Sequence, residues 1–217
     1  MRTIDTKTTE NILKYASLEF MEKNFLGGNI RDIAKKCNVS SHTIYTRFGN
    51  KEGLFTALVK EKADEFLNLY NNLHNNADVH ADYQLYQEEI TDNEVKNKDY
   101  YYKANEATDK VLDFLLKNRD SFKLLFCKSE GTEYATYLDK ITEIEEKNYM
   151  KLFDFSSKKI SKSKQFFLHK LAQESSRDLY EIISNDMKKE EAKEFIELEK
   201  RFRMSGWKNL LKELKNV

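Results

Sequence analysis

The chain contains no proline, six glycines and two cysteines. With no proline, no helix is forced to break in its interior, so helices can run long and an all-α fold is favoured. Cys37 and Cys127 stand about ninety residues apart with no CxxC spacing, which excludes a disulfide framework and suits a reducing cytoplasm. Apolar runs are only a few residues long, which excludes a membrane span. The N-terminal stretch MRTIDTKTTENIL is polar and lacks the apolar core of a signal peptide. There is also no HExxH, no phosphate-binding loop, no glycine-rich nucleotide turn and no ligand-spaced cysteine set, so neither enzyme nor cofactor is expected. Four histidines are scattered at 42, 74, 80 and 169. His74 and His80 could meet a metal with Asp78 or Asp82, but surface loop residues are the plainer reading, and no metal is expected.

What is present fits a globular protein. Charged residues make up 34% and hydrophobic residues 40% of 217, enough apolar material for a core in one or two domains. The formal net charge is zero, which argues against nucleic-acid binding along the whole surface. Residues 1–60 hold ten Lys or Arg against six Asp or Glu, a modestly basic head that the remainder offsets.

The most informative stretch is residues 29–55, NIRDIAKKCNVSSHTIYTRFGNKEGLF. Ile30, Ile33, Ala34 and Cys37 fall on one helical stripe. Asn29 is placed to cap that helix. Asn38-Val39 ends the stripe, and asparagine tolerates the left-handed backbone that such a corner needs. Ser40 caps a second helix, in which Ile44 and Phe48 face inward while Ser41, His42, Thr43, Tyr45, Thr46 and Arg47 lie on the other faces. Gly49-Asn50 breaks the chain before a long helix opens at Lys51. Two short helices around a tight turn make a helix-turn-helix layout, whose second helix enters a DNA major groove tip first.

The residues Ile33, Ala34, Val39, Ser40, Thr43, Ile44, Tyr45, Phe48, Lys51, Glu52 and Leu54 stand in an order and spacing that resembles the DNA-binding domain of TetR/AcrR-family regulators. The resemblance covers about a quarter of the chain and is specific, because many positions agree together. It implies an all-α fold of about nine helices: a three-helix DNA-binding domain over residues 1–50 and a ligand-binding and dimerisation bundle over 51–217. It implies phosphate contact by Tyr45 and Lys51, and by Arg47 at the groove wall. Helix starts at Asn29 and Ser40 favour phosphate through their free N–H groups. Ser41, His42, Thr43 and Thr46 are best placed to reach base edges. The family usually has glycine at the positions of Asn38 and His42; a bulky imidazole at 42 means that an operator sequence cannot be borrowed from relatives.

Along the rest of the chain the spacing predicts a bracing helix over 8–24 and a long helix over 51–74 that links head to body. A helix is expected near 80–91, a loop over 92–98 and a run of three tyrosines at 100–102. Helical spacing continues over 104–127, with a break at Arg119-Asp120-Ser121 where Ser121 or Asp120 would cap, and over 131–155. A connector at 156–163 leads to two last helices near 164–184 and 189–214. These resemble the pair through which most of the family dimerises, and Phe167, Leu171, Phe195, Leu198, Phe202, Trp207, Leu210, Leu211 and Leu214 load them with apolar surface. A two-fold dimer would double the short site that one recognition helix reads.

In the family the second domain holds a small molecule that moves the heads apart. An aromatic lining of Tyr101, Phe126, Tyr137, Phe167, His169 and Tyr180, with Glu106 or Asp109 as counter-charge, suits a small aromatic or hydrophobic effector. The expected function is a homodimeric, ligand-responsive regulator, most often a repressor, on a palindromic double-stranded operator. The alternative is a DNA-anchored protein whose body binds another protein instead of a small molecule.

Overall fold

The computed structural model describes residues 6–75, 98–152 and 160–215; the side chains of 98–105, 152, 204, 205 and 207–215 lie outside the described set. The helix expected at 80–91, the side chains of the tyrosine run at 100–102, and those of Trp207, Leu210, Leu211 and Leu214 therefore fall outside it. Among the described residues there are nine α-helices and no strands: α1 Thr6–Gly27, α2 Ile30–Lys36, α3 Ser41–Phe48, α4 Lys51–Asn75, α5 Lys98–Lys117, α6 Arg119–Cys127, α7 Tyr137–Leu152, α8 Lys162–Ser184 and α9 Lys189–Lys215. None is long and apolar enough to cross a membrane, and among these residues no cluster of His, Cys, Asp and Glu could hold a metal.

The chain forms two compact units. The first comprises residues 1–66 and 118–137, the second residues 67–117 and 138–217. Helix α4 is continuous through the division, contributing to the first unit up to Phe66 and to the second from Leu67.

In the first unit α1 buries Ile12, Ala16 and Phe20. Its regular turn fails at Asn24, where φ is 59°, and Phe25 folds back into the core. Phe20, Phe25 and Phe55 form a triangle of rings with centroids 5.4–5.9 Å apart, and Tyr134 closes on Phe55 at 6.4 Å. Gly53 has no room for a side chain: a Cβ there would lie 2.0 Å from the Phe48 carbonyl oxygen, so the end of α3 and the start of α4 are in close backbone contact there.

Residues 118–137 belong with this head, which residue spacing alone did not show. The Phe25 amide donates to the Lys128 carbonyl at 2.9 Å, and the Tyr137 hydroxyl donates to the Ala63 carbonyl at 2.7 Å. Two expectations are corrected here. Helix α6 is capped by neither Asp120 nor Ser121: its N-cap is Asn118, without a side-chain bond, and the Ser121 hydroxyl reaches the Leu58 carbonyl instead. The helix expected from 131 starts at Tyr137, because residues 129–136 form a turn. Gly131 takes φ 87°, and the Ser129 and Thr132 hydroxyls donate to the Leu125 and Ser129 carbonyls, each at 2.7 Å.

The second unit packs α5, α8 and α9 together through Leu112, Ile182 and Ala192, with Leu116, Met187, Phe195 and Ile196 around them. Lys193–Asp109 at 2.6 Å, Lys189–Asp113 and a Lys200–Thr108 bond at 2.7 Å line the same α5–α9 seam. Helices α7 and α8 are joined by hydroxyl pairs, Thr142–Ser176 at 2.7 Å and Tyr149–Ser175 at 2.9 Å. Glu145 is buried between the Tyr70 hydroxyl and His74 Nε2 at 3.0 Å. Burial works against its ionisation, but the His74 and Tyr70 bonds and the Arg203 charge outweigh it and hold its pKa below the usual carboxylate value. Asp178 pairs with Arg203 at 2.8 Å, yet burial dominates and pushes its pKa up to about 6.

One charge is fully buried in the head. The Glu19 side chain has no exposed surface and sits 2.8 Å from Lys23 and 2.9 Å from Lys36, joining α1 to α2. Burial opposes ionisation, but the two lysine bonds prevail and leave the pKa below its ordinary 4.5. A carboxylate held low in the fold stabilises above its unfolded pKa and loses that contribution as pH falls through the folded value. Glu19→Gln is therefore expected to lose about 1–3 kcal/mol near neutral pH. Urea melts of both proteins at pH 7 and at about pH 3 should show a gap that closes in acid.

Candidate nucleic-acid interface

The interface is built on α2 and α3. Asn29 stands before α2 in extended conformation, and its Oδ1 accepts the Arg31 amide at 2.8 Å. Ile30, Ile33 and Ala34 are buried beneath. The corner is made by Asn38 at φ 55°, with the Val39 amide closing on the Ala34 carbonyl at 3.0 Å. Asparagine can adopt this left-handed backbone at small cost. Ser40 caps α3: its Oγ accepts the Thr43 amide at 3.1 Å and pairs with the Thr43 hydroxyl at 2.9 Å. Ile44 is completely buried, and the Gly49 amide closes the helix on the Tyr45 carbonyl at 2.8 Å.

With Ile44 turned inward, the opposite face of α3 is turned out. His42, Tyr45 and Thr46 are exposed and Ser41 and Thr43 half-buried; the Tyr45 side chain stands 48% open. The Thr46 hydroxyl donates to the His42 carbonyl at 2.8 Å. Arg47 is tied to α1 by a short bond to the Thr9 hydroxyl. Lys51 is also engaged within the protein: its ammonium donates to the Leu26 and Gly28 carbonyls at 3.1 and 3.0 Å. Of the nine residues named from sequence for DNA contact, seven thus share the exposed tip and its two helix starts, while Arg47 and Lys51 bind neighbouring segments of the head.

The six residues named for an effector are divided between the two units. Tyr101 has its side chain outside the described residues. Phe126 and Tyr137 stack at 6.1 Å in the first unit, with Tyr137 buried. In the second unit His169 pairs with Glu146 at 3.2 Å, Tyr180 lies under the Arg177 guanidinium at 4.2 Å, and Phe167 is exposed. The proposed counter-charges are also occupied, Glu106 by Lys110 at 2.7 Å and Asp109 by Lys193 at 2.6 Å. A cleft of about 550 Å³ does exist in the second unit, between the end of α4 and α7, lined by Asn71, His74, Asn75, Ile144, Asn148 and Met150 among others. None of the six aromatic or histidine candidates lines it. Its polar lining had no signature in spacing, because it comes from two helices far apart in sequence.

A short helix that buries one apolar edge and presents a polar, capped tip beside a second short helix is a helix-turn-helix layout, the arrangement that sets one helix into a DNA major groove. Residues 12–58 match the family model for bacterial regulatory proteins of the tetR family. These residues thus resemble the tetR-family N-terminal domain, and the all-helical fold is the one seen in TetR-like regulators. Two solved structures share that fold: a TetR-like transcriptional regulator from Rhodococcus sp. RHA1, at TM-score 0.54 and 14% identity over 98% of this chain and 96% of that one, and a protein described as a TetR-family transcriptional regulator from Syntrophomonas wolfei, at TM-score 0.52 and 18% identity over 94% and 95%. None of the curated proteins matches the sequence.

The corner residue gives a simple stability test. Asn38→Gly should leave the melting temperature within a few degrees, whereas Asn38→Ala should cost about 1 kcal/mol, because an alanine Cβ is strained at positive φ. Equal melts for the two variants would show that the corner carries no such strain.

Proposed function

We propose that the protein is a homodimeric, sequence-specific DNA-binding regulator that represses transcription in the cytoplasm from a palindromic operator and is released by a small-molecule effector. The observation that carries this reading is the tip of α3: Ser41, His42, Thr43, Tyr45 and Thr46 form a polar surface on a helix pinned by buried Ile44. Asn29 and Ser40 meet phosphates at the helix starts, with Tyr45 beside them, and Arg47 would exchange its bond to Thr9 for the groove wall. Ser41, His42, Thr43 and Thr46 read base edges. In function, residues 1–50 bind DNA and residues 51–217 bind effector and partner.

Dimerisation has support in the apolar surface that α8 and α9 leave uncovered. Phe166 is 72% exposed, Leu198 57% and Phe202 79%. Leu198, Phe202 and Gly206 recur every fourth residue along α9, and among the described residues nothing lies within 4 Å of where a Gly206 Cβ would stand, so a second helix can approach there. Phe166 was not singled out from the sequence. By contrast Leu179, Ile182 and Ile183 are buried inside the unit. An uncovered apolar stripe on a two-fold protein is covered most simply by the same stripe of another copy.

The cleft at α4 and α7 supports a small-molecule effector, since its volume lies in the range of ligand sites. Ile144 and Met150 offer apolar contact, and Asn71, Asn75 and Asn148 offer hydrogen bonds. An effector that prefers one arrangement of the heads lowers operator affinity by the ratio of its affinities for the two states. The second reading, a body that binds a protein, would instead leave this cleft idle.

Selection from a pool of randomised duplexes at fixed salt, followed by gel shift, should recover one sequence with two related half-sites spaced by about one helical turn or a multiple of it. Recovery of no duplex above background would end the proposal. On the recovered duplex, Thr43→Ala should relax base preference at one position per half-site by about 1–3 kcal/mol. Phe202→Glu should convert the dimer to monomer in sedimentation and reduce operator affinity by at least about tenfold; an unchanged dimer would remove α9 from the interface.

A further inference from the structure

The last turn of α4 carries a histidine whose two ring nitrogens both face acceptors. His74 Nδ1 lies 2.9 Å from the Tyr70 carbonyl, and Nε2 lies 3.0 Å from Glu145 Oε1. A carbonyl oxygen only accepts, so Nδ1 must donate. An ionised carboxylate also only accepts. A neutral imidazole has a single N–H and cannot serve both. One proton must therefore stand between Nε2 and Oε1, on the ring or on the carboxyl. The surroundings put it on the ring. Oε1 already accepts the Tyr70 hydroxyl, and Arg203 on α9 adds positive charge near the carboxylate. The His74 ring lies against the Tyr70 ring with centroids 4.5 Å apart and planes tilted by 33°, a contact that favours a cation. The other charged groups around the pair are engaged or in water. Glu146 is turned to His169 of α8 at 3.2 Å, and Asp178 of α8 to Arg203 at 2.8 Å. Glu143, Lys147 and Lys151 on α7 are exposed, where solvent screens them.

We infer that His74 is an imidazolium in the folded protein at neutral pH and acts as a proton-held latch between the end of α4 and α7. With the proton in place, both ring N–H groups are bonded and the buried Glu145 keeps a cationic partner. Without it, the ring turns a lone pair toward either Glu145 or the Tyr70 carbonyl, and one of the two bonds is lost. A buried carboxylate that loses its partner is costly to the fold. A histidine that gains a carboxylate on folding contributes stability that is fully present below its unfolded value, about 6.5. That contribution is lost as pH rises through the folded value. His74 also lines the cleft, so the latch holds together the two helices that wall it, and alkaline pH releases them. A ring packed there as a neutral group would show no such dependence.

The test uses neither DNA nor effector, so its failure leaves the function proposed above untouched. Full-length protein labelled at the histidine ring nitrogens is observed by long-range proton–nitrogen NMR at about pH 7.5, about one unit above the ordinary histidine value. Both His74 nitrogens should be protonated, the ring being assigned by its through-space contact with Tyr70. A single protonated nitrogen overturns the inference. The latch itself is read from a double-mutant cycle of His74→Gln and Glu145→Gln in urea melts. At about pH 6 the two changes should be coupled by about tenfold or more in the unfolding constant, and at about pH 9 by no more than about twofold. Equal coupling at both pH values would mark a contact that needs no proton and would overturn the latch. If either variant does not fold, the wild-type protein carries the test. As His74 passes from imidazolium to neutral with rising pH, amide exchange over residues 70–75 and 143–148 should quicken relative to α6, by about tenfold or more beyond the ordinary effect of base. Loss of the proton with no such change overturns the latch.

Discussion

The reading head depends on the packing of Phe20, Phe25 and Phe55, with Tyr134 set against them. Helix α3 is eight residues long and buries only Ile44 completely. A helix of that length is not stable by itself in water, so its place and angle come from what it leans on. Three buried rings supply on the order of 2–3 kcal/mol each by burial, and edge-to-face contacts add to it. They gather α1, α4 and the turn after α6 around one point. The buried Glu19 with its two lysines then adds a directed tie between α1 and α2, and the Lys51 ammonium adds one between α1 and α4. Apolar packing sets the position and the polar ties set the orientation.

The second unit uses a different device. Two polar pairs, Tyr70 with Glu145 and Asp178 with the partly buried Arg203, draw on four helices. A buried charge that loses its partner is strongly destabilising, so such a network penalises any sliding of α4, α7, α8 or α9 that separates its members. His74 belongs to this network, with Nδ1 2.9 Å from the Tyr70 carbonyl and Nε2 3.0 Å from Glu145, and it also lines the cleft. The cleft thus touches this network through His74, and Met150 and Lys151 also line it.

The head was legible because its signals are local. Asn29 and Ser40 cap the next two or three residues, Asn38 bends the chain at its own φ, and Ile33, Ala34 and Ile44 recur at helical spacing. Physics that acts within four residues leaves a mark in the order of residues. The body was less legible for the opposite reason. Amphipathic spacing shows that a helix has an inside but not which helix fills it. On the last two helices Leu179 and Ile183 are buried while Phe202 is open, a difference that spacing alone does not carry. Aromatic content pointed to a cage, while Phe126 and Tyr137 are consumed by the core of the head, and the cleft at α4 and α7 is lined largely by amides and charges. Ser121 satisfied every local rule for a cap and was taken by the Leu58 carbonyl instead.

By itself the order of residues determined that the chain is helical, where the turn between α2 and α3 falls, and which face of α3 is polar. These follow from proline-free stretches, capping side chains and a 3.6-residue period, all short-range. Only the tertiary structure decided that residues 118–137 pack with the head, that Arg47 and Lys51 bind the protein's own backbone and side chains, and which apolar residues of α8 and α9 stay uncovered. Those outcomes depend on groups tens of residues apart meeting within about 3 Å, and a hydrogen bond or a buried ring has no preference for partners near in sequence.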